Sequence, residues 1–362
     1  MSGPRPDGVL SGPQGEPGTP AEADEPLPDD ETATATLPSP PGPPGGGIFT
    51  LEGRRAPGLY LVAWILSVAG LVLLLLIGPM ASAEGARLLL VTVGAVLLTL
   101  GLATACGYQV LERHERPAER YRGPSPLLVF LTYLMAFVII GTVVFLSGIL
   151  DPEEPFGFFA VGTLQAIGYG VLVWLFVIRT GALSWPQMGW PTWQGRGLRP
   201  TLRAIGEAVA VMLPATFALA FMGGILALIL DVKAPSVIPE PESSAEALAI
   251  AAAAALIIPI GEELFFRGFA LTAWLRDLGP RSALVRSALF FALIHIANIS
   301  TASFGEGAAQ ALLQTVVLLP VGLVLGWLFL RRGMAAAIAG HVTYNSLLLF
   351  LSLLASTLPQ ST

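Results

Sequence analysis

Nine apolar runs of membrane-spanning length, separated by short polar or Pro/Gly-rich connections, fill the chain from residue 59 to residue 354. A run of about 20 apolar residues is long enough to cross a bilayer as a helix, and in hydrocarbon only helices and closed barrels satisfy every backbone N–H and C=O. The runs fall near residues 59–77, 88–110, 127–150, 156–178, 204–230, 245–269, 283–299, 308–330 and 334–354. They predict an all-α fold, a polytopic membrane helical bundle of eight or nine transmembrane helices. Composition excludes a soluble domain on its own, with 54% apolar against 12% charged residues and a mean hydropathy of +0.72.

The net charge of -6 does not belong to the membrane part. Residues 1–50 hold eight acids and one Arg, which leaves 18 basic and 17 acidic residues for the rest. A nearly neutral bundle has no basic face for nucleic acid. The first segment, rich in Pro, Gly, Ala and acids, buries too little apolar surface to offset its ordering entropy and is expected to be a disordered tail. Residues 51–244 then form N-terminal transmembrane helices and residues 245–357 a C-terminal core. Arg-rich and Arg-poor connections alternate along the nine runs, so the positive-inside rule puts the N-terminus in the cytoplasm. The single cysteine, Cys106, offers neither a disulfide nor a thiolate cluster.

Ionisable groups at membrane depth are expensive and mark either a pair or a site. The sixth run carries Glu262, Glu263 and Arg267. Glu263 and Arg267 are four apart, the spacing of a helical ion pair, whereas Glu262 is turned about 100° away with no partner on its own helix. The seventh run carries Phe291 and His295 on one face, and the ninth carries His341 and Asn345 one turn apart. His295 lies nine residues after Arg286 and His341 nine after Arg332, roughly 13 Å along each helix from an expected cytoplasmic end. Glu262, fourteen residues before Arg276 and five before Arg267, falls in the same half of the membrane. The third histidine, His114, sits in a charged connection.

A carboxylate, two imidazoles and a carboxamide at one depth suit hydrolysis. A carboxylate taken out of water is a better base toward water, an adjacent imidazole shares the proton, and His341 with Asn345 supplies donors for an oxyanion. Zinc binding by Glu262, His295 and His341 is the competing use, although the one-helix H-E-x-x-H spacing is absent. Packing is the bland alternative for each residue alone: an ion pair for Glu263 and Arg267, a carbonyl-bonded histidine at 295, interhelical glue at His341 and Asn345.

In sequence order, the E-E-x-x-x-R of Glu262 to Arg267, the F-x-x-x-H of Phe291 to His295 and the H-x-x-x-N of His341 to Asn345 resemble the CAAX-protease and bacteriocin-processing (CPBP) family of intramembrane proteases. The stretch TGALSWPQMGW, residues 180–190, read as a short cytoplasmic amphipathic segment, is similar to that family too. The resemblance implies Glu262 as general base, His295, His341 and Asn345 as oxyanion stabilisers, and Glu263, Arg267 and Phe291 in support. It also implies a bundle open to the cytoplasm, no required cofactor, and a membrane-embedded or membrane-associated peptide substrate. One Lys against eighteen Arg, with abundant Ala, Gly and Pro, suggests a bacterial gene and a bacterial plasma-membrane location. A proton-coupled transporter and a non-catalytic immunity or scaffold protein are the readings from other classes.

Overall fold

The computed structural model describes residues 50–190, 197–232, 238–299, 301 and 303–357, and all regular structure among them is helical. The expected tail therefore lies outside the described residues except for Thr50. Nine of the described helices are long and apolar enough to cross a membrane: α1 (Pro57–Met80), α2 (Glu84–Arg113), α3 (Pro126–Val144), α4 (Pro155–Ile178), α5 (Leu198–Leu230), α6 (Ser244–Leu278), α7 (Pro280–Ala297), α8 (Phe304–Arg332) and α9 (Met334–Leu354). Proline opens α1, α4 and α7 in the first turn, where its missing N–H has no helical partner to lose. The protein is a multi-pass membrane protein.

Two boundaries depart from expectation. Helix α6 runs on to Leu278 instead of ending near residue 269, and only Gly279, at φ 78°, separates it from α7. Arg276 and Asp277 read as loop because they are charged, but Asp277 is held by the connection between α2 and α3. Its carboxylate accepts the Tyr121 N–H at 3.3 Å, and its carbonyl accepts from Arg120 Nη1 at 3.0 Å. Helix α7 starts three residues earlier than expected, at Pro280, and it finishes in the 3-10 segment His295–Asn298.

Helix α6 is the centre of the bundle. Half of its most apolar window is buried, against 17% for α1. Glycine lets α4 approach it closely, since a Cβ on Gly261 would lie 2.7 Å from the Ala166 Cα. Phe265, Phe266 and Phe269 are sealed inside, with Phe265 5.8 Å from the Phe130 ring of α3 and 5.0 Å from Tyr169 of α4. Two π-helical stretches, Ala253–Ile257 and Leu264–Leu271, flank the regular turn Ile258–Glu263. Side chains answer the displaced carbonyls: Ser287 Oγ donates to Phe266 O at 3.1 Å and Thr272 Oγ1 to Arg267 O at 3.2 Å. Such wide turns re-aim side chains and recur at functional sites.

The Arg-rich connections meet at one end of the bundle. Arg120 reaches Asp277 at the end of α6, Arg332 at the end of α8 pairs with Glu207 of α5, and Met334 N–H at the start of α9 donates to Gly189 O at 3.1 Å. Glu207 also pairs with Arg203 at 2.9 Å, as the four-residue spacing predicts. Residues 180–190 have two sides: Ser184, Trp185, Pro186 and Gln187 are exposed, whereas Ala182, Leu183 and Met188 are buried, with Met188 against Gly268 of α6 and Gly189 against Met334 of α9.

Candidate functional site

The polar residues of α6, α7 and α9 converge. Arg267 Nη1 donates to Glu263 Oε1 at 2.6 Å, and both side chains are completely buried. The same Oε1 accepts from His341 Nδ1 at 2.8 Å. Because Glu263 can only accept while ionised, that contact puts the imidazole proton on Nδ1 and turns Nε2 of His341 toward Glu262 Oε2, 3.6 Å away. His295 reaches the same point from α7. Its Nδ1–H donates to Phe291 O at 2.7 Å, closing the last turn, and its Nε2 faces Glu262 Oε1 at 4.0 Å. Both gaps exceed a direct hydrogen bond.

Glu262 is 6% and His341 2% exposed, and no direct hydrogen bond to the Glu262 carboxylate occurs among the described residues. A buried carboxylate with two Nε2 atoms aimed at it and no direct donor is arranged for a ligand, not for a permanent bond. Its neighbour is arranged for permanence. Arg267 also donates through Nη2 to Gly322 O of α8 at 3.4 Å, and its guanidinium lies 4.3 Å from the Phe291 ring centroid. Phe291 meets His295 at 4.7 Å and His341 at 5.7 Å between ring centroids, so one ring orders the cation and both imidazoles. Arg267 is thus enclosed by protein at the depth of the site. Its charge is balanced inside the bundle.

Asn345 lies one turn beyond His341 on α9, and its Nδ2 donates to Ala254 O of α6 at 2.7 Å. The sequence reading passed over two hydroxyls near the site. Tyr133 of α3 and Tyr169 of α4 are 5% and 2% exposed and stack at 4.2 Å between ring centroids, with Tyr169 against Phe265 and Phe266 in the turn after Glu262. A Tyr inside an apolar run reads as packing, and only the pressing of Ala166 against Gly261 brings this face of α4 beside Glu262. For zinc, no three His, Cys, Asp or Glu side chains among the described residues are drawn together as ligands of one cation.

Residues 244–347 match the family model Rce1-like, described as type II CAAX prenyl endopeptidase Rce1-like. No curated protein and no solved structure matches the chain.

Proposed function

We propose, from a chain whose residues 244–347 form a domain of the CAAX-protease and bacteriocin-processing family, that the protein is an intramembrane endopeptidase working through a water held between Glu262 and two imidazoles. The observation that carries the reading is the aim of both free Nε2 atoms, from different helices, at the one buried carboxylate that lacks a direct donor. Glu262 takes a proton from the water as its oxygen attacks the scissile carbonyl carbon. In the resting tautomers His295 and His341 present lone pairs at Nε2, so they accept before they donate. A proton passed to Nε2 makes the imidazolium that stabilises the tetrahedral oxyanion. When the C–N bond breaks, that proton moves to the departing amine, and the carboxyl product leaves with the water oxygen.

Glu263 and Arg267 hold His341 in the tautomer this sequence of steps requires. The chemistry is metal-independent in this reading. The site opens toward the Arg-rich end, taken as cytoplasmic by the positive-inside rule, and the substrate is a membrane-associated peptide of a bacterial plasma membrane. Glu262→Gln removes the base while keeping shape, so turnover falls by about 10² to 10⁴. Comparing membrane proteomes of the wild-type and Glu262→Gln strains identifies the substrate as a precursor that accumulates only in the variant. Identical proteomes from a folded variant would sink the proposal. Activity that survives exhaustive chelation supports the metal-free form, and loss restored by zinc rejects it.

A further inference from the structure

The carbonyl that Asn345 holds is an unusual one. At the end of the first π-helical stretch of α6, Ile258 N–H bonds five residues back to Ala253 O. In that register the next carbonyl, Ala254 O, falls to the N–H of residue 259, and residue 259 is proline. An orphaned carbonyl inside a membrane bundle is costly, and Asn345 Nδ2 answers it at 2.7 Å from α9. Three residues after that proline comes Glu262, and four residues before Asn345 comes His341. The bond therefore ties the two helices one turn from His341 on α9 and about two turns from Glu262 on α6, on the same side of the point where those two face each other at 3.6 Å.

We propose that Asn345 is a positioning residue, acting through the Ala254 carbonyl that Pro259 leaves without a helical donor to fix Glu262 against His341. This inference rests on the proteolytic reading for its consequence but not for its geometry. It assigns Asn345 a role other than the oxyanion donor that the sequence resemblance implies; one Nδ2–H makes the tie and the second stays available to an oxyanion. The two roles separate under a second substitution, because Pro259→Ala restores a backbone N–H to the orphaned carbonyl and makes the side-chain donor redundant.

The test uses the full-length protein in detergent with four variants: Asn345→Ala, Asn345→Asp, Pro259→Ala and the double variant Pro259→Ala/Asn345→Ala. The probe is a fluorescence-quenched, S-farnesylated peptide with a Cys-aliphatic-aliphatic-Ser end, the substrate type named in the matched family's description. Asn345→Ala is expected to lower kcat by about a hundredfold with little change in KM, the effect of a displaced base. Asn345→Asp, which replaces the donor by an acceptor, is expected to be no better. The double variant is expected to recover to within about tenfold of Pro259→Ala. A double variant as inactive as Asn345→Ala, with Pro259→Ala itself active, overturns the proposal in favour of a direct contact with the substrate. If the wild-type protein leaves the probe intact, thermal unfolding of the same four proteins decides. A smaller loss from Asn345→Ala in the Pro259→Ala background supports the tie, and additive losses reject it.

Discussion

The hairpin α1–α2 and helix α6 are both apolar enough to span a membrane, yet they solve the burial problem in opposite ways. Helix α1 turns Leu61, Val62, Ile65, Val68 and Leu75 outward, and 17% of its window is buried. Its hold on α2 comes from small residues: a Cβ on Gly94 would lie 2.8 Å from Leu74 N and 3.0 Å from Gly70 O. Without a hydrophobic drive between helices in lipid, close backbone contact is the means of association. Helix α6, with half of its window buried, presses aromatic rings outward against its neighbours and keeps Glu262, Glu263 and Arg267 within. Lipid tolerates the first helix and only protein tolerates the second. The matched segment, residues 244–347, includes α6 and excludes the hairpin.

Breaking the buried ion pair is the largest test of this contrast. Arg267→Met leaves Glu263 ionised among apolar rings with His341 as its one remaining hydrogen-bond donor, and should cost about 3–5 kcal/mol in unfolding measured in detergent. Adding Glu263→Gln to that variant should recover much of the loss. If Arg267→Met unfolds like the wild type, the guanidinium is not what holds the carboxylate.

The hairpin gives the next effect down. Gly94→Val drives a branched side chain into the backbone of α1, which cannot rotate away, and should cost about 1–3 kcal/mol. Probe cleavage by the surviving folded fraction should be unchanged, since α1 and α2 lie outside the family-matched segment. A fall in turnover per folded molecule would show that the hairpin shapes the site. The smallest effect belongs to the surface. Glu207→Gln breaks pairs with Arg203 and Arg332 at a partly exposed position, and no resolvable change in the unfolding midpoint is expected.

Much of this architecture was legible along the chain. Hydropathy located all nine spans, because spanning length and apolar continuity are local properties. The spacing of Glu263 and Arg267 announced their pair for the same reason. The helix ends around residues 270–282 were misread, since charge alone does not distinguish a loop from a helical turn docked on another connection. The pair was legible, but its enclosure was not: the Phe291 ring and the Gly322 carbonyl that surround Arg267 come from other helices.

The site divides along the same line. By itself the sequence determined that Glu262 had no partner on its own helix and that two imidazoles and a carboxamide lay on other spans. Helical periodicity suffices for that. Tertiary structure alone decided that His341 donates to Glu263 while facing Glu262, that Asn345 donates to the Ala254 carbonyl, and that two tyrosines stand nearby. Each depends on which carbonyls the π-helical turns of α6 release and how closely glycine lets α4 approach. Those distances of a few ångströms arise from packing between segments far apart in the chain, which no local pattern encodes.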